Sequence, residues 1–184
     1  MAAPLARPAR PFTYADLEEM PDDGYRREII GGSLVVSPAP IGRHQRVSGS
    51  LFALLRAAET ADSMVLSAPY DWRLPDGGSV EPDIVVIQRV DFDPDGPLAS
   101  SHVPMLVAEV LSPSNQDQDR SVKRHLYESL GVPAYWMVDP QGPSLIALRL
   151  RRGRYQPEAE VAGAEALVTD WPFSVRVVPA GLGR

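Results

Sequence analysis

The chain has 184 residues, 44% of them hydrophobic, which is enough for one sizeable core and within the usual size of a single domain. It contains no cysteine, which excludes disulfides, thiolate metal sites and a cysteine nucleophile. A formal charge of −6 and a pI near 5.0 disfavour a surface built mainly to grip a phosphate backbone, although a focused basic patch on an acidic protein stays compatible with nucleic acid.

No apolar run reaches the ~18 residues of a membrane span. The start, MAAPLARPARPF, is broken by prolines and has no apolar stretch of the secretory kind. Residues 1–11 are therefore expected to form a flexible tail before one domain over residues 12–178. The expected location is the cytoplasm, with no membrane partner.

Thr13 is placed to cap a short helix from Tyr14, with Asp16 and Glu18 suited to its first turn. Glu28 to Val36 reads as a hairpin about Gly31-Gly32. After a proline-rich loop, His44 to Ala58 predicts a helix with Val47, Leu51, Leu54, Leu55 and Ala58 on its apolar face. Val65 to Leu74 predicts a strand ending at the Pro75–Gly78 turn. Ile84 to Ile87 is a continuous β-branched run, as in a strand buried on both faces. Asp91 to Ser101 reads as loop and Met105 to Leu111 as the next central strand. A helix is expected from Asp119 to Leu130, stopped by Gly131. Ala134 to Val138 completes a parallel strand–helix–strand unit. Ser144 to Arg151 with Arg154-Tyr155 forms a late hairpin, and Phe173 to Val178 a terminal strand. The pattern predicts an α/β fold with a mixed central sheet flanked by helices.

Two acids interrupt strands that otherwise look buried. Asp83 stands just before IVVI, and Glu109 lies inside MLVAEVL. A buried carboxylate needs a cation, a hydrogen-bond donor or a metal. Asp83 alone also fits a turn residue, and Glu109 alone also fits a salt bridge to arginine. If their strands are neighbours, about 4.8 Å apart, both carboxylates can reach one hard cation such as magnesium. Without a metal, the same pair could divide acid and base roles.

Of the 18 basic residues, Lys123 is the single lysine. It follows the Glu109 strand, and Asp119, Lys123 and Tyr127 share one helical face by i, i+4 spacing. A compact ammonium there can orient a water or a phosphate, or it can simply pair with Asp119 at the surface. Glu28 is a third acid at the head of the first hairpin. His44 and Gln45 begin the amphipathic helix, either exposed to water or facing substrate. The three histidines lack zinc spacing, and no phosphate-binding glycine loop or nucleophile elbow is present.

The blocks GYRREIIGGSLVVSPAP, RHQRVSGSLFALL, VEPDIVVI, LVAEVLSPSN and DRSVKRHLYESLGVPAYWMVDP, spread from about Phe12 to Leu150, resemble the Uma2 family. That family looks like a branch of the PD-(D/E)xK nuclease superfamily, so the resemblance implies a restriction-endonuclease-like fold. It also implies that Pro82-Asp83 supplies the PD element and Glu109 the second acid. The superfamily's usual lysine position holds Leu111, which makes Lys123 its candidate replacement. Glu28 matches the glutamate of the family's first block, and His44-Gln45 its histidine–glutamine pair. Gly31 and Ser33 stand where the family often has aspartate and glutamate, and Ala134 where it often has glutamate.

The implied activity is hydrolysis of DNA phosphodiester bonds, with Mg²⁺, or Mn²⁺ in its place, held by Asp83 and Glu109. Glu28 and Lys123 join them as catalytic residues, and His44, Gln45 and Tyr127 contact substrate. A homodimer is expected, since two sites cut two strands. The alternative is a noncatalytic nucleic-acid-binding or protein-interaction module on the same fold. Lys123→Ala is expected to lower catalysis while leaving the fold largely intact.

Overall fold

The computed structural model describes residues 10–21, 23–112 and 118–184. The expected tail falls outside it except for its last two residues. Of these, Arg10 pairs with Asp16 at 2.7 Å, and Phe12, the first residue of the domain, donates its N–H to the Gly32 carbonyl at 3.0 Å. Helix α1 (Tyr14–Glu18) starts where Asp16 accepts the Thr13 N–H at 2.7 Å.

The first hairpin pairs β1 (Arg26–Ile30) with β2 (Ser33–Ser37), so β1 begins two residues before its expected start. Gly31 and Gly32 both have positive φ, as a two-residue connection of this type requires. Helix α2 (Gly42–Ala58) buries Val47, Leu51 and Leu55 on one stripe. The strand expected over Val65 to Leu74 is two strands in different sheets, β3 (Ser63–Ser67) and β4 (Trp72–Arg73). Pro69 lies between them and has no N–H to continue a ladder. β4 pairs with β5 (Ser79–Val80), and β5 with β1, closing a four-stranded sheet of order β2-β1-β5-β4.

The central sheet has six strands. They are β3, β6 (Ile84–Gln88), β7 (Leu106–Val110), β8 (Ala134–Asp139), β9 (Ser144–Arg151) and β10 (Arg154–Ala162), in the order β10-β9-β8-β7-β6-β3. Only β7 and β8 run parallel, as the strand–helix–strand reading requires. The chain between them includes a π-helical turn (Gln118–Lys123) and helix α3 (Arg124–Ser129), where one continuous α-helix was expected. Gly131, at φ 80°, ends it by donating to Glu128.

β10 is much longer than its two expected residues. A third, two-stranded sheet joins β11 (Leu167–Thr169), which was not expected, to β12 (Val175–Val177) ahead of the short α4 (Pro179–Leu182).

Alternation in the central strands separates two cores. Ile84, Val86, Leu106, Ala108 and Trp136 pack with α2, the β11–β12 pair and α4. Val85, Ile87, Val107, Tyr135 and Met137 pack with Trp72 and Val80 of the smaller sheet and Tyr127 of α3. Period two puts Asp83 and Glu109 on this second side. No helix among the described residues is long and apolar enough to cross a membrane.

Candidate active site

β6 and β7 are antiparallel neighbours with Ile84 opposite Ala108, which sets Asp83 and Glu109 side by side where the pair ends. Asp83 is fixed from three directions. Its Oδ2 accepts the Val110 N–H at 2.8 Å and lies 3.1 Å from His44 Nε2, while its Oδ1 accepts from Arg26 Nη1 at 2.9 Å. Glu109 is 1% exposed. Its Oε1 accepts from Lys123 Nζ at 3.0 Å and from the Tyr127 hydroxyl at 2.8 Å. Its other oxygen, Oε2, is held loosely, 3.5 Å from the Asp83 N–H and 3.8 Å from Arg26 Nη2.

Glu28 arrives from β1 and joins both halves. Its Oε1 accepts the Glu81 N–H at 2.9 Å and lies 2.9 Å from Lys123 Nζ. Lys123, 3% exposed, therefore bridges Glu28 and Glu109, with Asp119 at 3.7 Å. The surface pairing of Lys123 with Asp119 is overturned, because both residues are buried at the floor of the second core.

The π-helical turn positions this lysine directly before α3, whose Tyr127 ring stacks on Trp72 and meets Tyr135 edge-on. Tyr135 in turn donates to the Asp119 carbonyl at 2.9 Å. Tyr127 is fully buried, so the substrate contact expected of it gives way to the orientation of Glu109.

The sequence reading missed Arg26, Glu81 and the burial of Asp119. Arg26 lies within 4 Å of four carboxylates: Asp83 at 2.9 Å, Glu81 at 3.4 Å, Glu28 at 3.5 Å and Glu109 at 3.8 Å. Its Nε and Nη2 are buried and make no hydrogen bond among the described residues. A period-two signal was present for Arg26, which stands two residues before Glu28 in β1 and so shares its strand face, whereas Glu81 lies in the short link between β5 and β6.

The acids outnumber the cations: Glu28, Glu81, Asp83, Glu109 and Asp119 surround Arg26 and Lys123. Burial, joined by the charges of Asp71, Glu28 and Asp83, outweighs Arg26 and pushes Glu81 up to about 7. Burial and the Glu109 charge push Asp119 up to about 8, against Lys123. Glu109 is raised by burial and by Asp83, with Lys123 and Arg26 opposing. Burial also acts on Asp83, but its bond to His44 and the Arg26 charge outweigh it and bring that carboxyl down to about 2. Lys123 is disfavoured as a cation by burial, yet Glu109 and Glu28 more than offset this and keep its proton firmly held.

A cleft of about 470 Å³ opens on one side of the cluster. Arg26, His44, Glu81 and Asp83 form its polar part, and Gln45 and Phe52 of α2 contribute to its wall. Gln45 is exposed there, and His44 keeps a buried Nδ1 without a hydrogen-bond partner among the described residues. Lys123, Tyr127 and Glu28 do not line this cleft.

A mixed central sheet flanked by helices, with two acids side by side at its centre, defines a restriction-endonuclease-like α/β protein. The Uma2 family model, described as "Putative restriction endonuclease", matches residues 14–176, and the chain belongs to that family. A crystal structure described as that of "a putative nuclease belonging to DUF820 from Anabaena variabilis ATCC 29413" is similar over 94% of this chain and 97% of that one, with a TM-score of 0.75 and 19% identity. This is a likeness of fold. No curated protein matches the chain.

Proposed function

We propose that the protein is a divalent-cation-dependent nuclease that hydrolyses phosphodiester bonds in DNA. The observation that carries this reading is the Asp83–Glu109 pair, adjacent across β6 and β7, next to a cleft and backed by a buried lysine. The donor set fits Mg²⁺ or Mn²⁺, because Asp83, Glu109, Glu28 and Glu81 offer only carboxylate oxygens and carry more negative charge than Arg26 and Lys123 balance. Asp83 and Glu109 would hold the ion. The chemistry such an ion supplies is concentrated positive charge, which activates water and stabilises charge developing on phosphate.

The protein's own residues have separable parts in this scheme. Lys123 and Tyr127 hold Glu109 through one oxygen and leave its other oxygen loosely engaged. His44 and the Val110 N–H fix Asp83. Glu28 anchors the Lys123 ammonium to the first hairpin and aligns the Glu81 backbone. In this proposal Gln45, exposed in the cleft wall, contacts substrate, with the His44 ring beside it. A cytoplasmic homodimer with two such sites is part of the same proposal.

The second reading is a noncatalytic nucleic-acid or protein-binding module. One observation favours it: among the described residues no group of three or more acidic, histidine or cysteine side chains is arranged to hold a metal. Purified protein incubated with supercoiled, linear and single-stranded DNA in Mg²⁺, Mn²⁺ or EDTA separates the two. Nicking that needs the metal and disappears in both Asp83→Asn and Glu109→Gln supports the nuclease. Cleavage that survives in both variants, or inactivity together with no metal binding, defeats it. Sedimentation velocity reports the oligomeric state.

A further inference from the structure

Arg26 is an unusual guanidinium. Among the described residues it sits beside four carboxylates, yet makes a single side-chain hydrogen bond, to Asp83 Oδ1, and its buried Nε and Nη2 find no hydrogen-bond partner. A structural arginine normally satisfies its planar fork with paired hydrogen bonds to a carboxylate. Here the side chain is held by surrounding charge more than by directional contacts.

Its position is equally informative. Nη2 lies between Glu28 at 3.5 Å and the loosely held Oε2 of Glu109 at 3.8 Å, while Nη1 covers Asp83 Oδ1. These are the oxygens a cation shared by Asp83 and Glu109 would use. Arg26 also lines the cleft, so its side chain has an open direction in which to move. Among the described residues, no three acidic, histidine or cysteine side chains are arranged to hold a metal, so the carboxylates would have to shift for one to bind.

We propose that Arg26 is a tethered stand-in cation that competes with the divalent ion for Asp83, Glu109 and Glu28, and withdraws toward the cleft when the ion binds. This rests on the metal reading above. The stand-in keeps a metal-free cluster of buried acids from repelling itself apart, and it lowers metal affinity by the cost of its displacement.

The test is Mn²⁺ titration of the full chain, stripped with EDTA and dialysed, followed by calorimetry and by the electron paramagnetic resonance signal of free Mn²⁺. Arg26→Gln removes the charge and keeps a donor near Asp83, so it should bind Mn²⁺ roughly tenfold or more tightly than wild type, since a like charge beside the site is gone. Its melting temperature without metal should fall, and Mn²⁺ should restore more of it than in wild type. Equal or weaker Mn²⁺ binding by a folded Arg26→Gln overturns the competition while leaving the metal reading intact. Wild type supplies a check that does not depend on the variant folding. In crystals soaked with Mn²⁺, the anomalous signal should lie between Asp83 and Glu109, with Arg26 moved from its present place. Mn²⁺ bound there with Arg26 unmoved rejects the proposal. If neither wild type nor folded variant binds Mn²⁺ by any of these measurements, the metal reading fails and the competition fails with it.

Discussion

Removing Lys123 would strand two buried carboxylates, Glu28 and Glu109, that its ammonium meets at 2.9 Å and 3.0 Å. The intact fold expected of Lys123→Ala from the sequence is therefore revised. Breaking a buried ion pair from one side costs about 3–5 kcal/mol, and urea unfolding of Lys123→Ala should show a loss of that order. Glu109→Gln placed in a Lys123→Met background should recover part of it, because the pair rather than the lysine alone sets the cost. A Lys123→Ala protein as stable as wild type would show that the ammonium is not what holds the two carboxylates in place. The same cluster makes stability depend on pH through two carboxyls that hold protons near neutrality, Glu81 at about 7 and Asp119 at about 8. Between their ordinary values, 4.5 and 3.8, and these raised ones, the folded state binds protons that the unfolded chain has released. Stability without metal should therefore fall as pH rises through that window and level off above it. Asp83 behaves oppositely. Held down at about 2, it contributes stability above pH 3.8 that is lost only as pH falls toward 2. Urea midpoints in EDTA between pH 5 and pH 8 should decline, and Asp119→Asn should flatten the decline. An identical slope in the variant would count against the Asp119 assignment.

The hairpin β1–β2 carries Arg26 and Glu28 but is anchored to the site through the smaller sheet, where Ile29 pairs with Ser79. Gly78, just before β5, lets the chains approach: a Cβ added there would lie 2.4 Å from the Ile29 carbonyl oxygen, backbone that cannot rotate aside. Gly78→Ala should lower stability by about 1–3 kcal/mol and also weaken Mn²⁺ binding, because β1 must shift with its two charged side chains. Gly142→Ala meets nothing within 4 Å and serves as the neutral control. A destabilised Gly78→Ala with unchanged Mn²⁺ affinity would show that β1 does not set the site. The elements that place the two central acids were legible because β6 and β7 are continuous apolar runs, in which Asp83 and Glu109 stand out. Arg26 and Glu81 were not, since a charge at the start of a short strand, or in the link just after one, looks like a surface residue. The π-helical turn was hidden for another reason. Its residues suit an α-helix, and the contacts of Lys123 and Tyr127 with Glu109 that accompany the wider turn are tertiary, so local sequence does not show them. β10 was shortened in the reading by its polar composition and Pro157, both of which an edge strand tolerates.

At the scale of the whole molecule, the proposed DNA contact of an acidic chain of net charge −6 would have to run through a restricted set of arginines. Two of the exposed sets flank the elements that carry the site. Arg43 lies in the first turn of α2, one residue before His44 at the cleft, whereas Arg120 and Arg124 lie on the outer side of the π-helical turn and α3. If DNA approaches by the cleft, Arg43 neutralises phosphate next to the acids, and its loss should weaken binding about equally for all sequences. The slope of log affinity against log salt should become shallower by about 1 in Arg43→Ala, since one fewer counterion is released. Arg124→Ala should leave that slope unchanged. Fluorescence anisotropy with a labelled duplex and a labelled single strand, in EDTA so that no cleavage intervenes, measures both. Should Arg124→Ala lose the counterion while Arg43→Ala behaves as wild type, DNA would lie along α3, and the cleft beside Asp83 could not be its point of attack.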